Sequence, residues 1–109
     1  MSEHRPPPSG PGTVVLDVGG DVGAAVVLTP AGLAGEELEI RPEPGVWDGR
    51  HVAVLPRELP GARQHAAVFG GLTAGRWVVR RRHRPDDPVE VGFDVTGGTV
   101  ARADWPAPV

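Results

Sequence analysis

Cysteine, lysine, asparagine and tyrosine are all absent from this chain of 109 residues. Without cysteine, disulfide bonds and thiolate metal sites are excluded. All eleven positively charged residues are arginine, and a net charge of −3 lacks the basic excess that nucleic-acid binding normally requires. No apolar stretch approaches the ~18 residues that a membrane-spanning helix needs, and no secretory signal segment opens the chain. We therefore expect a cytoplasmic protein that binds neither nucleic acid nor membrane.

The start of the chain differs in composition from the rest. Residues 1–11 are almost entirely proline, glycine, serine and charged residues. Such a segment buries too little apolar surface to offset the entropy lost on ordering. We predict a disordered tail over residues 1–11 and one folded domain over residues 12–109, which is long enough to bury a single core.

Short apolar or alternating runs recur about every ten residues between glycine, proline and aspartate, as is typical of an all-β sandwich or barrel. The predicted strands are residues 13–17, 24–29, 37–41, 51–56, 64–69, 76–82, 89–95 and 99–105. Gly97 and Gly98 can adopt the positive φ of a tight hairpin, so we expect the last two strands to pair. No part of the sequence favours a three-turn amphipathic helix.

Five residues are regularly spaced around the glycine-rich break at positions 70–75. These residues are Phe69, Leu72, Gly75, Trp77 and Val79. Their pattern resembles the F-x-N-L-x-x-G-x-Y-x-V signature of carboxypeptidase-regulatory-like and Cna-B-type domains, and VEVGFDVTGGTVARADW resembles their closing hairpin. The resemblance implies a single antiparallel β-sandwich of seven to eight strands, of the transthyretin-like (prealbumin-like) type. It does not imply a function, because such domains serve as spacers, adhesins and binding modules.

The residues that catalysis or metal binding would need are poorly supplied. The isopeptide bond of Cna-B domains needs lysine, and the ending DWPAPV differs from the Y-R-G-S of hydroxyisourate hydrolase, an enzyme that shares the transthyretin fold. The only serines, Ser2 and Ser9, lie in the predicted tail. If the strands that carry His51 and His65 pair, the two rings lie roughly 14 Å apart, too far to share an ion. We predict no catalytic, cofactor or metal site.

The basic run RRRHR at residues 80–84 is the most concentrated charge in the sequence. Strand alternation sends Arg80 and Arg82 to one face and His83 to the other. The following strand would bring Glu90 near Arg82, so a cross-strand charge ladder explains part of the run. The alternative interpretation is a docking site for an anion or carboxylate.

Trp47 lies among the turn residues PGVWDG rather than in a strand. It either folds back over the sandwich or presents an aromatic face to a ligand or partner, with His51 at the same edge of the domain. The candidate contact residues are therefore Trp47, His51, Arg80 and Arg82. A small-ligand domain that binds a sugar or an anion would use these residues and the rest of the 80–84 strand.

Several predicted strands are apolar on both faces. ELEIR at residues 37–41 alternates, with Leu38 and Ile40 inward, but AAVVL, HVAVL, AAVF and WVV do not alternate. Only one face of each sheet in a sandwich meets the core, so something should cover part of the other. We predict a non-enzymatic protein-interaction or assembly module that forms a homodimer through a sheet face or edge, with residues 51–69 as the main contributor. The alternative to a dimer is that the N-terminal half of the chain or the Trp47 loop folds over that sheet face.

Overall fold

The computed structural model describes residues 18–59, 62–84 and 86–106, and its strands form two four-stranded sheets. The strands are β1 (Val22–Thr29), β2 (Glu37–Pro42), β3 (His51–Ala53), β4 (Leu55–Leu59), β5 (Ala62–Thr73), β6 (Gly75–Arg81), β7 (Val91–Val95) and β8 (Val100–Asp104). A single 3-10 turn, Ala31–Leu33, is the one helical element in these ranges. The predicted all-β sandwich is confirmed, while the predicted strand at 13–17 and tail at 1–11 lie outside the described residues. No helix in the described ranges is both long and apolar enough to cross a membrane.

The two sheets differ in how their strands are joined. The first sheet has the order β4-β5-β1-β8, and the second has the order β3-β2-β6-β7. All neighbouring strands are antiparallel except β1 and β8, which run parallel. The prediction of a wholly antiparallel sandwich was wrong for this pair, which joins the first and last strands of the described chain.

The predicted closing hairpin is also wrong, because β7 and β8 lie in different sheets. The turn between them passes from one sheet to the other. Gly98 has the expected positive φ of 78°. Gly97 instead packs against backbone, since a Cβ added to it would lie 2.0 Å from the carbonyl oxygen of Gly20. The glycine pair therefore allows the β7–β8 turn to approach the backbone of residues 20–21 closely, and it does not form a hairpin turn.

One apolar core fills the space between the sheets. Its members include Val27 and Phe69 from the first sheet and Leu38, Ile40 and Val79 from the second. The inward placement of Leu38 and Ile40 is confirmed. Trp77 and Trp105 are both buried in this core, as the strand pattern predicts, and the Trp77 Nε1–H donates to the carbonyl oxygen of Thr73 at 2.8 Å. The indole is thus buried with its polar atom satisfied.

The glycine-rich break is a bulge within β5. The register between β1 and β5 shifts there: Leu72 is opposite Gly23, but Phe69 is opposite Ala25, so β5 spans three positions where β1 spans two. As a result Phe69 and Leu72, three positions apart, both point into the core. The prediction that the strand ends at Phe69 was wrong, because β5 continues to Thr73. Gly75, the motif glycine, opens β6 with a φ of 142°, a backbone conformation that glycine adopts readily, and we call it the Gly75 hinge.

The predicted strand at residues 51–56 is in fact two strands in different sheets. β3 pairs with β2 in the second sheet, and β4 pairs with β5 in the first. Val54 lies at the crossing with its side chain fully buried. Its N–H donates to the Glu36 carbonyl at 2.8 Å, and its carbonyl accepts from the Gly35 N–H at 2.9 Å. The chain therefore changes sheets without leaving this backbone unpaired.

This crossing changes the predicted neighbours of two histidines. His51 lies opposite Glu39 in the second sheet. His65 lies opposite Pro56 in the first sheet. The two histidines do not share a hairpin, so the strand spacing predicted between them does not exist.

Candidate functional site

The outer face of the second sheet carries a concentration of charged strand residues, and we call it the charged face. It is formed by Glu37, Glu39 and Arg41 of β2, His51 of β3, Arg76, Val78 and Arg80 of β6, and Asp94 of β7. These residues point outward because their strand neighbours enter the core. The loop between β2 and β3 brings Trp47 onto this face, where its ring meets two of the arginines.

Glu39 is the most deeply buried charged residue of this face, with 6% of its surface exposed. The Arg80 Nε donates to Glu39 Oε1 at 3.0 Å. The Trp47 ring centroid lies 4.1 Å from the Arg80 Cζ and 4.9 Å from the Arg41 Cζ, within the range of cation–π attraction. Trp47 therefore folds back over a paired charge on the outer face, not over the core.

Glu37 is the centre of a second cluster at the end of the same face. Its Oε1 accepts hydrogen bonds from Arg82 Nη1 at 3.1 Å and from His83 Nε2 at 3.0 Å. His51 Nε2 lies 3.8 Å from the same oxygen. Because His51 Nδ1–H donates to the Gly49 carbonyl at 2.7 Å, its Nε2 lone pair is free to accept from Arg82 Nη1, 3.4 Å away. The hydrogen bonds from Arg82 and His83 lower the pKa of Glu37 below its usual value.

Two predictions about the basic run were wrong. Arg82 is paired with Glu37 of β2, and not with Glu90 of the following segment. His83 meets the same carboxylate as Arg82, although alternation placed the two on opposite faces. The physical reason is that β6 ends at Arg81, so the residues beyond it are in a turn and no longer alternate.

Two open cavities of about 440 and 410 Å³ lie at this end of the sandwich. Arg81 there lies 3.4 Å from Glu36 and 3.3 Å from Asp87, and Arg84 lies 3.4 Å from Glu36. Each of these guanidinium groups is already neutralised by a carboxylate. The cavities therefore offer polar groups but no excess positive charge for an anion. Within the described ranges, no group of three or more potential ligands is placed to hold a metal ion.

The structure brings the four sequence-predicted contact residues onto the charged face or to its end. These are Trp47, His51, Arg80 and Arg82. The sequence interpretation missed the two residues that organise them, Glu37 and Glu39. Their outward position was visible in the alternation of ELEIR, but the sequence does not say which neighbouring strand their charges meet.

The outer face of the first sheet is different in character, and we call it the apolar face. It carries Ala24, Val26 and Leu28 of β1, Leu55 of β4, Ala66 and Val68 of β5, and Val100 of β8. Leu55 and Val100, on the two outermost strands, are 43% and 48% exposed. Arg57 of β4 and Arg102 and Asp104 of β8 share this face. The Arg57 Nε is buried with no hydrogen-bond partner in the described part of the chain, and burial lowers the pKa of its guanidinium.

Comparison of the chain with protein-family models, curated proteins and solved structures finds no match. The class that the geometry defines is an all-β sandwich of two sheets, one with a charge-paired outer face and one with an apolar outer face.

The Glu37 cluster has a consequence for stability against pH. A carboxylate whose pKa is lowered in the folded state stabilises it above the unfolded pKa, and this contribution is lost as pH falls through the folded pKa. We expect Glu37→Gln to destabilise the protein at neutral pH and to lose its effect well below pH ~4. Urea unfolding at both pH values measures this. Glu58→Gln, which removes a carboxylate from one exposed ion pair, is the control. An equal effect of Glu37→Gln at both pH values would contradict the expected contribution of the Glu37 carboxylate to stability.

Proposed function

We propose that this chain is a non-enzymatic protein-interaction or assembly module that binds a protein through its apolar face. One observation carries the proposal. The outer face of an antiparallel-rich sheet that only contacts water is normally polar, whereas this one is lined by aliphatic side chains in its central strands. Ala24, Leu28, Ala66 and Val68 are buried within the chain, whereas Leu55 and Val100 at its two sides are well exposed. Large aliphatic side chains exposed at the rim of an apolar sheet face are candidates for protein contact.

The finer fold type is part of the same proposal. We take the sandwich to be transthyretin-like, and the positions of the motif residues support this. Phe69 and Leu72 enter the core on either side of the β5 bulge, and Trp77 and Val79 follow the Gly75 hinge into the same core. A motif with that role specifies packing at a strand connection, and it leaves the outer faces free to differ in function.

A small-ligand site on the charged face is the second candidate. It is favoured because one indole, one imidazole and two guanidinium groups lie together on this face. They belong to Trp47, His51, Arg80 and Arg82. The charges argue against an anion, because Glu39 and Glu37 already pair with Arg80 and Arg82. A neutral sugar, which stacks on aromatic rings without needing net charge, suits this face better.

Site-specific photocrosslinking tests the proposed function. A benzophenone side chain is placed at Leu55, on the apolar face, and separately at Val46, which is 78% exposed in the loop before Trp47. Irradiation of cells that produce each variant should give a discrete protein adduct from position 55 and none from position 46. Adducts from position 46 alone, or from neither position, would overturn the proposal.

Tryptophan fluorescence separates the two candidates. Trp77 and Trp105 are buried, so a ligand that reaches the charged face should change mainly the emission of the half-buried Trp47. Under the proposed function, titration with glucose or phosphate leaves the emission unchanged. A saturable change that disappears in Trp47→Phe would favour the small-ligand alternative.

A further inference from the structure

The free edge of β8 is the surface from which a specific partner can be inferred. β8 is an outermost strand of the first sheet, and no other described strand pairs with its far side. An outermost strand leaves a row of backbone N–H and C=O groups available to another chain. Adding a strand to such an edge is a common mode of protein recognition.

The direction of these backbone groups follows from the pairing with β1. The Thr99 carbonyl accepts from the Ala24 N–H, and the Trp105 N–H donates to the Leu28 carbonyl. Backbone groups alternate between the two sides of a strand, so those of residues 101 and 103 also face β1. The N–H and C=O groups of Val100, Arg102 and Asp104 therefore face away from the sheet.

The other three outermost strands suit strand addition less well. β3 has only three residues. β4 contains Pro56, which has no N–H to donate. In β7, Gly92 gives no side chain to pack, and the Arg76 guanidinium lies over it, 2.5 Å from where a Cβ would be. β8 has neither proline nor glycine between Val100 and Asp104.

Two exposed charges on β8 indicate which chain it pairs with. Arg102 and Asp104 are 69% and 72% exposed, and within one chain they are only loosely paired, with 3.9 Å between Arg102 Nη2 and Asp104 Oδ1. If a second β8 pairs antiparallel about a two-fold axis at Ala103, each Arg102 lies opposite Asp104 of the second copy. Opposite charges at directly paired positions stabilise such a ladder.

We infer that the partner is a second copy of this chain, bound through antiparallel pairing of the two β8 edges. This rests on the assembly role in the proposed function and not on the apolar face, and it names the partner. In this register each Arg102–Asp104 pair exchanges two backbone hydrogen bonds, and Ala103, small and inward-facing, meets Ala103 at the axis. Val100, half exposed in one chain, lies opposite Pro106 of the second copy. The Arg102–Asp104 pairs then lie between the two apolar faces, because Arg102 and Asp104 are on the same outer side of the first sheet as Val26 and Leu28.

The charges also exclude the neighbouring register. A slip of two positions keeps inward residues inward, but it places Arg102 opposite Arg102 of the second copy. Like charges at directly opposed positions destabilise a sheet. The register is thus set by side chains that both point to solvent, so they can be changed without disturbing the core.

A charge-swap series tests the inference by sedimentation equilibrium from micromolar to millimolar concentration. The unmodified chain should dimerise, and Arg102→Asp or Asp104→Arg alone should weaken dimerisation about tenfold or more, because each places like charges opposite each other twice. The double variant Arg102→Asp/Asp104→Arg should restore it. A monomeric unmodified chain, or a double variant no stronger than the single ones, overturns the inference.

A backbone variant tests the edge itself. In Arg102→Pro the lost N–H faces away from β1, so the intramolecular pairing survives while the hydrogen bond to the second copy does not. Arg102→Ala is the matched control, since it removes the same side chain and keeps the N–H. We expect the proline variant to be folded by circular dichroism and to dimerise much less than the alanine variant. Equal dimerisation of the two overturns the inference.

Failure of this inference is distinguishable from failure of the proposed function. If β8 variants do not affect association but Leu55→Arg abolishes it, the face and not the edge forms the contact, and only the edge inference falls. If the charge-swap pattern appears while the crosslinker at position 55 captures nothing, the edge inference stands and the role of the apolar face falls.

Discussion

Replacing Gly97 with alanine should destabilise the sandwich by about 3 kcal/mol or more, one of the larger effects expected of a single methyl group. The added Cβ would lie 2.0 Å from the carbonyl oxygen of Gly20 and 2.9 Å from the Cα of Asp21. Both are backbone atoms, so no change of rotamer relieves the overlap. The segments that carry them must separate instead.

That separation would break contacts that hold the two sheets together. The Val22 carbonyl accepts hydrogen bonds from the N–H groups of Gly19 and Gly98, each at 2.9 Å. Gly23 is packed into the same junction, where a Cβ would lie 2.7 Å from the carbonyl oxygen of Thr96. The turn that joins β7 to β8 therefore cannot move without loosening the start of β1.

Two neighbouring glycines provide matched controls for urea unfolding. Gly98 has a φ of 78° and open space around it, so Gly98→Ala should cost only about 1 kcal/mol, the price of a left-handed residue. Gly19 has neither a positive φ nor a neighbour within 4 Å, so Gly19→Ala should be close to neutral. If Gly97→Ala were no worse than Gly98→Ala, the close approach would not exist in solution.

This junction illustrates which parts of the fold local sequence patterns can predict. Alternation correctly assigned Leu38 and Ile40 to the core, because a polar–apolar period of two has one buried face. The GG pair was misread as a hairpin, since two glycines permit a tight turn and a close backbone approach equally well. Only the identity of the neighbouring strand separates these cases, and that neighbour is distant in sequence.

The crossing at Val54 was missed for a related reason. In HVAVL the residues are apolar on both faces, so the pattern does not mark where the chain leaves one sheet for the other. The parallel pairing of β1 with β8 is likewise set by packing between segments that are more than 70 positions apart in the sequence. Its first pair joins Ala24 to Val100. Periodicity therefore predicted most strand positions but not how they are arranged in sheets.

The candidate site was predicted in its members but not in its pairing. Both strands that flank β6 carry carboxylates, so the sequence allowed its arginines to meet either. Glu39 pairs with Arg80 and Glu37 with Arg82 because residues 39 and 80 are directly opposed in the antiparallel register of β2 and β6. The loop that lays Trp47 over Arg80 could not be derived from periodicity, since loops have none.

The same pairing leads to the second large effect. Arg80→Met should destabilise the protein by about 2 kcal/mol, because it leaves the carboxylate of Glu39 buried without its cation. Glu39 is only 6% exposed, and Trp47 lies over the Arg80 that partners it. Methionine retains the length and the apolar stem of the side chain, so loss of packing is small. The contact of Trp47 with the Arg80 guanidinium is lost as well, while its contact with Arg41 remains.

A second substitution shows whether the cost comes from the unpaired charge. Glu39→Gln in the Arg80→Met background removes that charge, and most of the lost stability should return. Arg63→Met is the matched control, because Arg63 and Glu58 form an ion pair in which both side chains are more than half exposed, and such pairs contribute about 1 kcal/mol or less. Urea unfolding of the three variants and the unmodified chain gives the comparison. Equal costs for Arg80→Met and Arg63→Met, or no recovery in the double variant, would show that water reaches Glu39 and that Trp47 does not seal the pair.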